Sequence, residues 1–248
     1  MTKMFGNLST ENLEKAEDVL GGGNYDPIPS AVYDGKIELA YAGKSAGGAH
    51  SVTVHFKTSE GKEVRETIYV TNKQGENFYA DKEDKTKKRP LPGFTMIDDI
   101  CLLATGAGLA DQDTEEKVVK IWDSNERKEI PKPVQCLTAL HGQDITLAIL
   151  RSIEDKNKKD ESGKYVPTGE TRTVNVIDKA FHPETGRTVN EYLNEVATPE
   201  FHDAWAAKNT GKDRERFTKN IGGGAGTSGV GRPGGAPDEA KKNLFGKK

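Results

Sequence analysis

Apolar and polar residues alternate with a period of two along three successive stretches of the chain, 36–41, 52–57 and 64–71. A glycine-rich link, 43–49, separates the first two stretches, and a short polar turn at 59–62 precedes the third. Alternation of this kind is typical of strands that bury one face. The pattern therefore predicts a meander of three antiparallel strands.

A helical period follows in 95–105, where apolar residues recur every three or four positions. We expect Thr95 to cap the start of this helix and Gly106 to end it. The neighbouring acids Asp98 and Asp99 would then lie in the first turn, where the helix dipole favours negative charge. The sequence thus predicts one helix directly after the meander.

Strand patterns return after the helix, and they predict four further strands at 118–123, 133–140, 144–155 and 171–181. We expect the charged segment 156–164 to be the hairpin loop between the last two, and Trp122 to lie in the core. Three strands, a helix and then further strands is the order of an OB-fold. The predicted class is mainly β, a five-stranded Greek-key barrel with a helix between strands 3 and 4, followed by C-terminal helices and a disordered tail.

The composition along the chain predicts four segments. Residues 1–29 hold a short N-terminal helix, at 9–20, and a proline-containing lead-in, and residues 30–181 hold the OB-fold domain. Helical spacing predicts a helical appendage at 182–219. Glycine dominates 220–248, which we expect to be a flexible tail because it has too little apolar surface to offset its ordering entropy.

The overall charge does not identify a nucleic-acid-binding protein, because the formal net charge is -3. Any binding of phosphates must then depend on local basic clusters. Cys101 and Cys136 lie in apolar stretches without metal-ligand spacing, so we predict buried free thiols and no zinc site. The sequence has no apolar stretch typical of a membrane span, and its first twenty residues have no secretory pattern. We therefore expect a cytoplasmic protein that does not bind a membrane.

The polar face of the second and third predicted strands is basic and aromatic. The alternation that buries the apolar residues of 52–57 places five side chains on the opposite face: His55, Lys57, Arg65, Thr67 and Tyr69. An OB-fold binds single strands across this part of its sheet, with rings stacked on bases and cations on phosphates. The alternative is a solvated sheet face with one exposed tyrosine.

The segment 72–89 is predicted to be an exposed loop in which two adjacent rings, Phe78 and Tyr79, stand among basic residues. Those basic residues are Lys73, Lys82, Lys85, Lys87, Lys88 and Arg89. Adjacent rings in a basic loop predict stacking on nucleic-acid bases. The alternative is that one ring anchors the loop while the lysines are only solvated.

A second basic cluster surrounds the predicted hairpin loop 156–164. Arg151, Tyr165 and Arg172 lie on or beside its stems and would lengthen the groove. Acidic residues in the same loop dilute its positive charge, so a merely solvated loop is the favoured alternative there.

We find no catalytic constellation in the sequence, and we expect no enzyme activity, cofactor or bound metal. The glycines of 106–108 follow a helix rather than a strand, which does not suit a dinucleotide fingerprint. A metal-dependent nuclease would need four acids to converge: Asp98, Asp99, Asp111 and Asp113. The five histidines are scattered and pair with no nucleophile by spacing.

The segment 76–106, ENFYADKEDKTKKRPLPGFTMIDDICLLATG, resembles the central region of single-stranded DNA-binding proteins from tailed bacteriophages. The resemblance covers about residues 30–180. It implies an OB-fold that binds single-stranded DNA without sequence preference during phage replication or recombination, in the host bacterial cytoplasm and without catalysis. It nominates Phe78, Tyr79 and the lysines of their loop as the binding residues.

The end of the chain departs from that class, in which many members have an acidic tail that recruits replication partners. Here the last residues include Lys247 and Lys248, and Phe245 belongs to the only apolar pair at the terminus. A weak DNA contact by the tail and docking of replication or recombination proteins at Phe245 are both open. The competing interpretation of the whole chain is a non-enzymatic phage structural or scaffold-like interaction module, whose aromatic residues would serve a protein interface.

Overall fold

The structure, a computed structural model, describes residues 26–218 apart from positions 124, 125, 127 and 162. The expected N-terminal helix at 9–20 and the glycine-rich segment 220–248 lie outside the described residues. The described elements, in chain order, are the following: β1 (Ala31–Lys44), β2 (His50–Thr58), β3 (Glu63–Tyr69), β4 (Phe78–Ala80), β5 (Lys88–Pro90), α1 (Pro92–Thr105), β6 (Glu115–Asp123), β7 (Lys128–Cys136), β8 (Asp144–Lys159), β9 (Tyr165–Phe181), α2 (Val189–Leu193), α3 (Phe201–Asn209) and β10 (Arg214–Arg216).

The strand β1 organises the main sheet because it pairs with three other strands. It runs antiparallel to β2 from Gly35 onwards, to β8 through its first six residues, and to β7 at Tyr41 and Ala42. The strand β3 continues the meander beside β2, while β6 pairs with β7, β9 with β8, and β10 joins β8 in parallel. These eight strands form one sheet, which confirms the prediction of a mainly β protein that begins with a three-stranded meander.

Two local features accompany the pairing of β1 with three strands, a β-bulge and a close approach of its backbone to β2. Its register with β2 shifts between Ile37 and Leu39, and such an extra residue bends a strand and increases its twist. Gly35 lies so near β2 that a Cβ there would overlap the carbonyl oxygen of Lys57. Only glycine therefore allows the two strands to pack at this point.

The main core lies between the inner faces of the strands and the helix α1. Val54 and Phe56 of β2 are buried there together with Ile97 and Ile100 of α1. Burying one side chain of this size stabilises the fold by roughly 1.5–3 kcal/mol. The residues whose alternation predicted the meander are therefore the ones that hold it against the helix.

The helix α1 begins earlier than the sequence predicted. Leu91 is its N-cap and Pro92 its first residue, so Thr95 lies inside the helix rather than at its cap. Proline suits that first position because its missing N–H would have had no helical partner. Asp98 consequently lies beyond the first turn, where its carboxylate accepts the backbone N–H of Leu109 at 2.7 Å. The predicted end is confirmed, since Gly106 adopts the left-handed conformation that closes the helix.

One carboxylate joins β3 to β9. Glu66 of β3 accepts the backbone N–H of Ile177 at 2.5 Å, and burial of the carboxyl raises its pKa to about 7. No strand pairing connects β3 with β9 within the described part of the chain, and no sheet there closes on itself. The expected closed five-stranded barrel is therefore not established by the strand pairing.

The β8–β9 hairpin is longer than predicted. The strands continue to Lys159 and resume at Tyr165, so the connecting turn spans only 160–164 and the first four residues of the predicted charged loop are strand. By its internal contacts the distal part of this hairpin, 155–171, belongs with residues 217 and 218 to a second compact unit. All other described elements belong to the first unit.

Helices follow β9, as expected for 182–219. Trp205 of α3 is buried, and its indole Nε1 donates to Asp178 at 2.7 Å, which docks this helix on β9. Thr188 and Glu191 form a reciprocal capping box at the start of α2. The segment also contains β10, which the sequence did not predict. No helix among the described residues is long and apolar enough to cross a membrane.

The prediction that Trp122 lies in the core is wrong, because its side chain is 56% exposed. The strand β6 carries apolar residues in both phases of its alternation, and only Val119 and Ile121 are on its partly buried face. Val118, in the same phase as Trp122, is 71% exposed. The alternation alone does not predict which face of β6 packs against the rest of the protein.

Candidate nucleic-acid interface

The two predicted rings lie on a small β-hairpin rather than on an irregular loop. Phe78 pairs with Pro90, and Tyr79 pairs with Arg89, in the two-stranded sheet of β4 and β5. The hairpin leaves the end of β3 and leads directly into α1. Its base is closed by the backbone N–H of Leu91, which donates to the carbonyl of Asn77 at 2.8 Å. The segment 72–89 therefore presents its rings on ordered backbone.

Asp81 fixes the turn of this hairpin. Its carboxylate forms an ion pair with the guanidinium of Arg89 and accepts the backbone N–H groups of Glu83 at 2.8 Å and Asp84 at 3.2 Å. The hydrogen bond from Arg89, followed by those from the backbone, lowers the pKa of Asp81. Arg89, nominated as a DNA contact, thus also holds the hairpin together.

The two rings have different surroundings. Tyr79 is 45% exposed, whereas Phe78 is partly buried and its ring lies 4.0 Å from the Nζ of Lys88. A cation over an aromatic face is attracted by the ring quadrupole. Phe78 therefore already has a partner in the protein, and Tyr79 is the ring that offers an open face.

Three lysines around the hairpin carry uncompensated charge. Lys73, Lys82 and Lys85 are exposed, and none of them forms an ion pair within residues 26–218. Lys87, by contrast, lies 3.5 Å from Asp84. The stem of Lys73 also packs beside Gly47, so the glycine-rich link between β1 and β2 borders the same surface.

Tyr69 brings the end of the main sheet to this hairpin. Its side chain is 53% exposed at the last residue of β3. A Cβ on Gly93, near the start of α1, would overlap the carbonyl oxygen of Tyr69, so helix and strand are in direct backbone contact. The end of β3 is therefore fixed against the start of the helix into which the hairpin leads. We call the exposed set Tyr69, Lys73, Tyr79, Lys82 and Lys85 the aromatic-basic surface.

The rest of the predicted sheet face is partly occupied by the protein itself. His55 pairs across the strands with Arg65, and burial followed by the charge of Arg65 lowers the pKa of the imidazole to about 4. His55 is therefore neutral near pH 7. Arg65 lies 3.7 Å from Glu129 of β7, and Lys57 lies 3.2 Å from Glu38. Both exposed ion pairs are of the kind that contributes little to stability.

The residues nominated near the β8–β9 hairpin belong to both compact units. Arg151 lies 3.4 Å from Asp213, and Arg172 lies 3.9 Å from Glu154, both within the first unit. Tyr165 belongs to the second unit, where it is exposed and Lys159 lies 5.5 Å from its ring. The two arginines are therefore paired with acids of the protein, while Tyr165 offers an exposed ring.

The acids that a nuclease would need do not assemble. In the described ranges no three histidine, cysteine, aspartate or glutamate side chains form a group that could hold a metal ion. Asp98 is engaged with the backbone after α1, and burial raises the pKa of Asp99 to about 6. Cys101 and Cys136 are buried free thiols, as predicted, and burial raises the pKa of Cys101 to about 12.

An apolar cleft of about 450 Å³ lies where α1 meets α2. It is bordered mainly by leucine and valine side chains, with His182 and Tyr192 as its polar groups. The rings of His182 and Tyr192 contact each other edge to face in this cleft, with their centroids 5.6 Å apart.

No protein-family model matches the chain, and no curated protein matches it significantly.

Proposed function

We propose that this chain is a non-enzymatic protein that binds single-stranded DNA through the aromatic-basic surface. The observation that carries the proposal is the association of two exposed tyrosines, Tyr69 and Tyr79, with lysines that have no acidic partner in the described chain. Rings stack on any base, and each stacked base contributes roughly 1–3 kcal/mol. Lysines contact phosphates irrespective of sequence. This combination suits a strand held without sequence preference.

The proposal includes the setting that the resemblance implies, which is protection of single-stranded DNA during phage replication or recombination in the host cytoplasm. The hairpin that carries Tyr79 is the part of the chain with that resemblance, and α1 follows it directly. Binding partners beyond the nucleic acid, including replication or recombination proteins at Phe245, belong to the same proposal. Phe245 lies outside the described residues.

We also infer that the fold is of the OB type, with two inserted hairpins. In this interpretation β1, β2, β3, β8 and β9 are the five strands, and β4–β5 and β6–β7 are the insertions. Support comes from the position of α1 after β3 and from the pairing of β1 with both β2 and β8. The contact of Glu66 with Ile177 lies where the last strand would return beside the third, in a barrel type that is often partly open.

A protein-interaction module is the second candidate function, and specific observations favour it. Trp122 and Val118 project from β6 into solvent, and the apolar cleft beside α2 is lined by the exposed Leu193. Large exposed apolar side chains mark interaction surfaces when they lie close together. One molecule could have both functions, but only DNA binding would require Tyr79.

A titration of the full chain with a labelled oligo-dT, and with a duplex of equal length, tests the proposal. We expect tight binding to the single strand, weak binding to the duplex and no cleavage when magnesium is added. Tyr79→Ala should weaken the single-strand affinity, whereas Tyr79→Phe, which keeps the ring, should retain it. Absence of binding to either nucleic acid by the folded wild type would leave the interaction module as the better explanation.

A further inference from the structure

The outer edge of β6 is unpaired within the described residues. β6 pairs with β7 along its whole length, from Glu115 to Asp123, and no other described strand lies on its opposite side. Such an edge presents a row of backbone N–H and C=O groups to solvent and is a template for another strand. Nine residues is longer than most edge strands that proteins leave uncovered. This edge therefore needs an explanation.

The exposed face of β6 has a symmetric order of side chains about Val118. Glu116 precedes Val118 by two positions and Lys120 follows it by two, so all three are on the same face of the strand. Val118 is among the most exposed apolar residues described, and neither Glu116 nor Lys120 forms an ion pair within residues 26–218. When two such strands run antiparallel, the acid of each strand faces the base of the other, and the two apolar residues face each other.

We propose that two copies of this chain associate by antiparallel pairing of their β6 strands about a two-fold axis through Val118. Each Glu116 then stands directly opposite Lys120 of the other copy, and the two Val118 side chains meet on the axis. Directly opposite residues of antiparallel strands are close enough for both the ionic and the apolar contacts. Trp122 comes opposite Thr114 of the other copy and covers the start of its strand.

The charges select this register over its neighbours. A two-fold axis at Lys117 or at Lys120 would place identical lysines opposite each other, which is unfavourable. An axis at Val119 would bring Lys120 opposite Val118 and create no pair of opposite charge. Lysines on an edge strand can also serve to prevent pairing. That alternative explains Lys117 and Lys120, but it does not explain why Glu116 matches Lys120 about an exposed valine.

The association should be weak and should stop at a dimer. A two-fold contact uses the same edge of both copies, so no edge of this kind is left for a third. The paired surface is confined to one strand from each copy, which is small for a stable interface. The inference does not depend on DNA binding, because β6 carries none of the residues of the aromatic-basic surface.

Sedimentation velocity of the full chain, from low micromolar to several hundred micromolar, tests the proposal. The wild type should shift from the monomer towards twice its mass as concentration rises. Glu116→Lys and Lys120→Glu, each alone, should remain monomeric, because each puts like charges opposite each other. An equimolar mixture of these two variants should recover the dimer, since every opposing pair is again of opposite charge. This recovery also shows that the variants are folded.

A cysteine on the axis provides an independent readout. Val118→Cys should form a disulfide-linked dimer under mild oxidation at high concentration, whereas Lys62→Cys, exposed on the turn between β2 and β3, should not. A wild type that stays monomeric over the whole concentration range would overturn the proposal. Single charge variants that associate as the wild type does, or a mixture that fails to recover the dimer, would also overturn the register.

Discussion

The carboxylate of Glu129 on β7 lies 3.7 Å from the guanidinium of Arg65 on β3. The side chain that would contact a phosphate on the sheet face is therefore already paired with an acid of the protein. Both partners are largely exposed, so their attraction is screened by solvent and the pair can be exchanged at little cost. A phosphate that approaches Arg65 must replace Glu129 or bind beside it.

Removal of this acid should strengthen DNA binding. Glu129→Gln leaves Arg65 without its acidic partner, and we expect the affinity for oligo-dT to rise by a few-fold at low salt. Glu126→Gln removes the same charge at the turn of the same hairpin, where Glu126 lies 3.5 Å from Lys128, and is the matched control. Fluorescence anisotropy of both variants gives the comparison. Equal affinities for the two would show that Arg65 does not contact the strand.

The salt dependence of binding should identify the lysines that contact phosphate. Lys82→Gln with Lys85→Gln should lower the slope of log affinity against log salt by about 1.4, which is about 0.7 for each lost contact to a single strand. Lys62→Gln with Lys208→Gln removes the same charge elsewhere and should leave the slope nearly unchanged. Titrations at four salt concentrations measure both slopes. A slope that falls equally in the two double variants would argue against a localised site.

Gly93→Ala should separate the hairpin from the sheet. The new Cβ would overlap the carbonyl oxygen of Tyr69, and overpacking of this kind typically costs about 1–3 kcal/mol. We expect a lower Tm together with weaker single-strand binding, because the helix that follows the hairpin would be displaced from the end of β3. Gly47→Ala meets only the flexible stem of Lys73 and is the control for the change in Tm. An unchanged Tm for Gly93→Ala would contradict the close contact.

Glu66 should make stability fall as the pH rises. Burial raises the pKa of its carboxyl from an ordinary value of 4.5 to about 7 in the folded chain. A carboxyl with a raised folded pKa stabilises the fold below its unfolded pKa, and that contribution is lost as the pH rises through the folded value. Glu66→Gln keeps an oxygen that can accept the N–H of Ile177 and cannot ionise.

The thermal melting of this variant tests the assignment. Glu66→Gln should raise Tm by several degrees at pH 8 and change it little at pH 4. Glu63→Gln, on the exposed start of β3, should behave as the wild type at both pH values. A Tm difference between Glu66→Gln and the wild type that does not vary with pH would exclude the carboxyl as the cause.

The strand β2 could be predicted because its apolar residues occupy a single phase. In β2, Val54 and Phe56 leave no doubt about which face is buried, and the pattern predicted the strand correctly. In β6 both phases contain apolar residues, so Trp122 was placed in the core although it is exposed. Periodicity predicts a strand, but it does not predict which of two apolar faces the rest of the chain will cover.

The candidate site was predictable in its residue types but not in its geometry. The ring pair and the lysines stand out in the sequence, whereas the hairpin that orders them has strands of only three residues. Its turn is held in large part by Asp81, which no local pattern distinguishes from the other acids of the segment. The ion pair between Arg65 and Glu129 joins residues far apart in the chain, and sequence spacing contains no information about it.

The hairpin held by Asp81 has a consequence for the thermodynamics of binding. A segment that orders only on its ligand loses conformational entropy at that moment, and this loss is subtracted from the affinity. Here the carboxylate of Asp81 holds the turn in place, so in the proposed function Tyr79 would be preorganised and little entropy would be lost when a base stacks on it. The same ring could then accept successive nucleotides of a sliding strand without a change in the backbone of the hairpin.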